Sequence, residues 1–250
     1  MNSYDDLAVI ILAAGKGTRM KSDIAKVLHK VAGQSMVVHV VACASKIILD
    51  NIHVVIGYQG QKVKDEVNKF FKVDFAVQKE LLGTGDAVKA AIPGLKPGIK
   101  DVLILCGDVP LIKENTLIRL VDGHRESRSK ASVLATDVRD PKGYGRIISD
   151  KDNNMICIKE EADASESEKK IKKVNTGIYC FDKKFLISAI KEIKPDNNQT
   201  EYYLTDTIEI AQKMHEKITV ITMNEPGQAI GVNTLEELAQ AEYLIRQPSQ

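Results

Sequence analysis

The sequence predicts an α/β protein: a doubly wound, mostly parallel Rossmann-like sheet carrying an antiparallel lobe. Three features point there. The runs LAVIILA from Leu7 and DVLILCGD ending at Asp108 lack polar alternation, as strands covered by helices on both faces require. Up to about residue 130, such runs alternate with amphipathic segments at the spacing of βαβ units, whose right-handed crossovers put a ligand site beyond the carboxyl ends of the strands. From Ala131 onward, short strands follow one another closely through turn residues, the grammar of antiparallel hairpins.

Element by element, LAVIILA is the first central strand, Ser35 to Ile48 keeps a helical rhythm, and IHVVIGY from Ile52 returns to a strand. QKVKDEVNKFF from Gln61 is amphipathic, DFAVQ from Asp74 is a short strand, and DAVKAAI from Asp86 is helical. DVLILCGD closes the parallel part. ASVLATDV, GRIIS and MICIKE are then strands, with turns at Pro141–Gly143 and near Asp152. Glu160 to Lys173 is so densely charged that it reads as a solvated helix or loop. NTGIYCFD from Asn175 is a strand, Lys183–Ile193 and Leu204–Glu216 are helical, ITVITMN from Ile218 is a strand, and LEELAQAEYL is the closing helix. No repeat and no Pro/Gly/Ser-rich linker divides the chain, so residues 1–250 read as one domain.

Composition removes several function classes. With 35 Lys+Arg against 34 Asp+Glu there is no basic field for nucleic acid, and phosphate chemistry has to come from local charge. Aromatics make up 5% and Trp is absent, which argues against base-stacking or carbohydrate-stacking platforms. The four cysteines form no CxxC and the five histidines no HxxxH or HExxH, so a zinc cluster is not expected, and buried thiols of a reducing cytosol are. The first apolar run is too short to span a bilayer and follows acidic Asp5 and Asp6, so no membrane association is expected and a cytoplasmic location is.

The segment AAGKGTRM, Ala13 to Met20, directly follows the first strand. A glycine-bearing loop there can aim successive N–H groups at a phosphate, with Gly15 and Gly17 permitting close approach. It is neither a Walker A loop, which would need Gly at Ile10 and Ser or Thr at Gly17, nor GxGxxG, whose third glycine would fall at Met20. Taken alone it has a lesser alternative reading as a strand-to-turn glycine pair with exposed Lys16 and Arg19. Lys26, one short loop later, allows Arg19 and Lys26 to close on one polyphosphate from two sides. Asp108 ends the second apolar strand, where a carboxylate can reach a cleft and share Mg²⁺ with substrate oxygens and water, or can simply cap a turn. A second oxygen donor is available from Asn233, which also fits the cap region of the last helix. Gln78 with Gly83 and Thr84 offers a donor and an acceptor to a nucleobase edge, or is merely a βα loop.

In order, LAAGKGTRM, KVLH, QxxxxGTG, GDVPL, GYGRI, NTG, EYYLTD and GVN resemble the sugar-phosphate nucleotidyltransferases, and among them the N-acetylglucosamine-1-phosphate uridylyltransferases. The likeness runs from Leu7 to about Leu244. It implies a nucleotide-diphospho-sugar transferase fold, with a nucleotide-binding half over about 7–130, a sugar-binding half over about 131–233 and a C-terminal helix over 234–250. It also implies that Leu12, Ala13, Ala14 and Gly15 line the nucleotide, with Arg19 and Lys26 on its phosphates. By the same likeness Gln78, Gly83 and Thr84 read uracil, Asp108 and Asn233 hold Mg²⁺, and Gly145, Glu160 and Asn175 hold the amino sugar. Glu161 is the neighbouring candidate for the role of Glu160.

Two departures stand out. Cys106 occupies a position where the family often has an aromatic residue, and because contacts there are largely main-chain a small effect is expected. No hexapeptide repeats follow, so neither acetyl transfer nor the trimer that such repeats build is expected of this polypeptide. The implied reaction is transfer of UMP from UTP to N-acetylglucosamine 1-phosphate. Its rivals are the same chemistry with dTTP or CTP and another sugar phosphate, and a catalytically silent nucleotide-sugar-binding protein. Oligomeric state is not legible.

Overall fold

A computed structural model describes residues 4–247. In chain order its elements are β1 (Leu7–Ala13), β2 (Lys30–Val31), β3 (Gln34–Ser35), α1 (Met36–Ser45), β4 (Ile52–Ile56), α2 (Gly60–Asn68), β5 (Asp74–Val77), α3 (Thr84–Ala91) and β6 (Asp101–Cys106). There follow α4 (Glu114–Ser127), β7 (Ala131–Asp137), β8 (Gly145–Ser149), β9 (Met155–Lys159), β10 (Lys173–Asp182), α5 (Lys183–Ala189), α6 (Asp206–Lys213), β11 (Ile218–Thr222) and α7 (Leu235–Ile245).

The main sheet runs β11-β7-β10-β6-β1-β4-β5. Its β1–β4, β1–β6, β4–β5 and β11–β7 pairs are parallel, and only β10, wedged between β6 and β7, runs the other way. Alternation along β1 sorts the core. Leu7, Val9, Ile11 and Ala13 face a layer containing Val37, Val41, Val63, Val67, Leu117 and Leu120 of α1, α2 and α4. Ala8 and Ile10 face a layer built on Val88, Phe185, Leu186 and Ile208 of α3, α5 and α6. Helices therefore cover both faces, which is why β1 and β6 carry no polar alternation.

From β1 the chain builds outward through β4 to β5, then crosses back to β6 on the other side of β1. That reversal opens a crevice at the carboxyl ends of β1 and β6, where Leu12 and Cys106 stand side by side in register. The 13–19 loop leaves one lip of the crevice and Asp108 the other.

Two expectations need correction. β7 and β8 are not a hairpin: the first residues of β10 lie between them, with Asn175 paired to Ala135 of β7 on one side and Gly145 of β8 on the other. A register shift between Asn175 and Tyr179, around Gly177 at φ 76°, then turns β10 away from β8 and onto β6. The antiparallel lobe is thus β8, β9 and the start of β10, whereas β7 and β11 extend the main sheet. The second correction is an element absent from the sequence reading, α4, whose Leu117, Leu120, Val121 and His124 are buried on one face.

The four cysteines are free thiols, Cys43 and Cys180 buried and Cys106 and Cys157 half-buried. Among the described residues no helix is long and apolar enough to cross a membrane. Of the closing segment expected over 234–250, residues 248–250 lie outside those described.

Helix α7 packs Leu238, Ala241 and Ile245 against Met20, Val31 and Met36, so it roofs the loops that follow β1. Its N-cap is Thr234, whose hydroxyl accepts from the Glu237 N–H (3.2 Å) while the Glu237 carboxylate accepts from the Thr234 N–H (2.9 Å). Replacing Thr234 by Ala should lower stability by about 1 kcal/mol, read as a loss in chemical denaturation.

Candidate active site

Four side chains from three distant parts of the chain meet over the β1/β6 crevice. The Lys26 ammonium is ion-paired with the Asp108 carboxylate and donates to Asn233 Oδ1 (2.9 Å). Arg19 donates to the same Asn233 oxygen (2.8 Å). Asn233 is aimed by its own neighbours: its N–H donates to Glu237 (2.6 Å) and its Nδ2 to Gly231 O (3.0 Å), while the Val232 N–H donates to Asp108 O (2.9 Å). The structural readings hold beside this geometry: Asp108 sits in the turn after β6, and Asn233 directly precedes Thr234, the N-cap of α7.

Gly17 has a structural use: at φ 71° an added Cβ would collide with Lys26 Cβ, so the glycine makes room for the lysine stem. Gly15, by contrast, faces open space on the cavity wall.

Two cavities adjoin at this point and share Leu12, Thr84, Cys106 and Asp108 as common wall. One, of about 250 Å³, collects Leu12, Ala13, Ala14, Gly15, Gln78, Gly83 and Thr84, together with Lys26. The other, about 650 Å³, collects Gly145, Glu160 and Asn175 with Arg19 and Asn233. Cys106 therefore lies at the junction. Its Sγ donates to Gly177 O (3.3 Å), and burial raises its pKa, keeping it a thiol.

In the smaller cavity, the Gln78 amide hydrogens are already used on Gly83 O (3.0 Å) and Asp86 (2.9 Å), so its Oε1 is what it can offer, an acceptor. Thr84 Oγ1 accepts from the Leu204 N–H (3.0 Å), leaving its O–H to donate. Gly83 sits at φ 111° with Tyr202 O 2.7 Å from where a Cβ would be. The EYYL segment thus pins the GTG turn from behind, through Gly85 N–H to Tyr202 O (2.7 Å) and Tyr202 N–H to Leu82 O (2.7 Å).

In the larger cavity Glu160 and Glu161 part company. Glu160 accepts from Thr205 (3.2 Å) and stands beside Gly145, where an added Cβ would come within 3.3 Å of Glu160 Oε2. Glu161 pairs with the buried Arg146 (2.6 Å). Asn175 spends its side chain on the bulge, donating to Tyr179 Oη (2.6 Å) and accepting from the Gly177 N–H (3.0 Å). Tyr144, Thr205, Glu201 and Lys142 also line these cavities. The first three stand within GYGRI and EYYLTD, motifs the sequence reading names without assigning these residues a role, and Lys142 directly precedes GYGRI.

The arrangement suits a doubly anionic ligand set. Asp108 and Asn233 direct two hard oxygens at one cation, the Lys26 ammonium, and that donor pair suits a hard divalent ion drawing its other ligands from water and phosphate. Among the described residues no group of three or more His, Cys, Asp or Glu side chains could hold a metal by itself.

A family model described as nucleotidyl transferase matches residues 8–227. The relative named bifunctional protein GlmU in Desulfotalea psychrophila is 42% identical over 246 residues, covering 98% of this chain and 72% of its own. Its namesake in Geotalea uraniireducens is 45% identical over 242 residues, covering 97% of this chain and 53% of its own. That in Alkaliphilus oremlandii is 45% identical over 240 residues, covering 96% and 52%. The chain thus spans about half the length of most such relatives. A Bacillus anthracis structure described as a glucose-1-phosphate thymidylyltransferase superimposes with TM-score 0.76 at 22% identity, covering 98% of this chain and 97% of that one. At that identity the likeness speaks for the fold alone.

Behind Glu160 lies an acidic cleft holding Asp163, Asp206 and Glu209. Burial, reinforced by the Glu209 carboxylate, pushes the Asp206 pKa up to about 6. The folded carboxyl thus binds its proton at a higher pH than the unfolded one, near 4, and folding gains stability as pH falls from 7 toward 5. Thermal denaturation should show this gain in the native sequence and a smaller one in Asp206→Asn.

Proposed function

The chain belongs to the nucleotidyl transferase family, and from that premise we propose that it transfers UMP from UTP to N-acetylglucosamine 1-phosphate, giving UDP-N-acetylglucosamine and pyrophosphate. One observation supports the reading above others: Lys26, Asp108, Asn233 and Arg19 converge where two cavities adjoin. A nucleotide in the smaller and a sugar phosphate in the larger would bring their phosphates together at that junction.

In the proposed step an oxygen of the sugar phosphate forms a bond to the α-phosphorus of UTP. The bond from that phosphorus to the bridging oxygen of the β-phosphate breaks, and its electron pair leaves with pyrophosphate. The attacking oxygen is already anionic at neutral pH, so no general base is assigned. What the chain supplies is position and charge. Lys26 exchanges Asp108 and Asn233 for phosphoryl oxygens, Arg19 flanks it, and the freed carboxylate and amide oxygens are available to Mg²⁺. When bound, that ion would offset negative charge on the phosphates and hold them in line.

Base choice follows from the donor pattern. The Gln78 acceptor and the Thr84 donor complement the N3–H and a carbonyl of uracil, whereas N3 of cytosine is itself an acceptor. Thymine shares uracil's edge, which makes dTTP the informative competitor. On the sugar side, the Glu160 carboxylate is a strong acceptor for a hydroxyl or amide N–H, and burial raises its pKa.

Pyrophosphate release should be measured for four nucleotides against several sugar 1-phosphates. UTP with N-acetylglucosamine 1-phosphate should be the best pair. Activity with dTTP alone would defeat the assignment, and tight nucleotide-sugar binding without turnover at saturating Mg²⁺ would favour the silent-binder reading. Lys26→Ala and Asp108→Ala should each lower kcat by about 10²-fold or more while remaining folded, as loss of a preorganised electrostatic partner does.

A further inference from the structure

We propose that Gln59 is a positioning residue for Lys26, clamping the main chain of the lysine loop so that the ammonium is held over the crevice. The inference rests on the nucleotidyl-transfer reading above. Ala25 and Val27 are buried in the core, so packing seats the loop, but hydrogen bonding does little to fix its main chain. Among the described residues, no main-chain hydrogen bond joins residues 22–27 to another element. The Lys26 side chain contacts Asp108 and Asn233, but these are the very partners it must release to act on phosphate.

Gln59 supplies the missing tether. Its Oε1 accepts from the Ala25 N–H (3.1 Å) and its Nε2 donates to Asp23 O (2.7 Å), so one planar amide brackets the residues just before Lys26. The planar amide of Gln offers a donor and an acceptor from a single rigid group, with one methylene more reach than Asn. Tyr58 adds a longer contact, its hydroxyl to Asp23 O (3.4 Å). The same turn is fastened to the phosphate loop, through Tyr58 N–H to Ala14 O (2.9 Å) and through Lys16, whose ammonium lies 5.4 Å from the Tyr58 ring centre. One turn after β4 thus fixes both cationic loops relative to each other.

The backbone of Gln59 points the same way. It opens α2 at φ 49°, ψ 34°, a left-handed conformation that glycine adopts without penalty and glutamine does not. Main-chain geometry alone would favour Gly at this position, so a glutamine there is explained by what its side chain holds.

That conflict gives a clean test, because Gln59→Gly removes the clamp while relieving the backbone. The variant should melt at the same temperature as the native protein or higher, yet its kcat should fall about tenfold, with the KM for UTP changed less than about twofold, as misplacement of a charge-stabilising group predicts. In a Lys26→Ala background the same change should cost less than about twofold, since a residue acting through Lys26 has nothing left to position. Faster amide hydrogen exchange at Ala25 in Gln59→Gly should accompany the loss. Unchanged kcat in Gln59→Gly, or an equal loss with and without Lys26, overturns the proposal. A native protein without turnover on any nucleotide and sugar-phosphate pair sinks instead the reading on which it rests.

Discussion

One ammonium holds the site together. Lys26 bonds simultaneously to a carboxylate at the end of β6 and to an amide oxygen just before α7, so a single cation joins three segments that are otherwise remote in the chain. Each partner is backed by its own scaffold. Gly17 clears the lysine stem, the Val232 N–H ties the α7 approach to Asp108, and the capping box of α7 fixes the turn that carries Asn233. The interaction is half-shielded, the two side chains being 15% and 19% exposed, so it is strengthened by partial burial yet still open to solvent.

Much of the fold is legible in the sequence because burial on two faces leaves an unmistakable trace. β1 and β6 are uninterrupted apolar runs, and α1, β4, α2, β5 and α3 between them fall where period and punctuation put them. The readings that fail do so for physical reasons. The helix α4 carries its buried stripe diluted by Arg119, Asp122 and Gly123, with His124 taking a core position through a hydrogen bond to Ser132 (2.8 Å). The false β7–β8 hairpin arises because short strands joined by a Pro-Lys-Gly turn look adjacent, whereas the strand that separates them arrives some thirty residues later. Local pattern carries no information about that insertion.

At the site, residue types are more legible than their uses. Arg19, Lys26, Asp108 and Asn233 each have an ordinary surface, turn or cap reading when taken alone, and only the ordered set of motifs and its likeness to a family single them out together. That Gly17 also makes space for the lysine stem is invisible in sequence, because it depends on φ and on a neighbour nine residues away. Gln78 and Asn175 look like free recognition groups, yet most of their hydrogen-bonding capacity is committed to the Gly83 turn and the Gly177 bulge. Glu160 and Glu161 cannot be ranked by sequence at all. Their separation depends on Arg146, whose buried guanidinium claims Glu161 and leaves Glu160 beside Gly145.

Such commitment of recognition side chains to the scaffold has a functional consequence. A Gln78 free to rotate could present either its donor or its acceptor and would accept uracil and cytosine alike. With its amide hydrogens already taken, turning it costs two hydrogen bonds in a buried place. The same holds on the phosphate side, where Lys26 is not an idle surface cation but one that must leave a carboxylate and an amide oxygen to engage a ligand. A lone phosphate would compete poorly for it. On the proposed function, a polyphosphate accompanied by a cation that takes over Asp108 and Asn233 would repay both losses together, so that charge exchange at the junction would couple binding of the cation to release of the lysine.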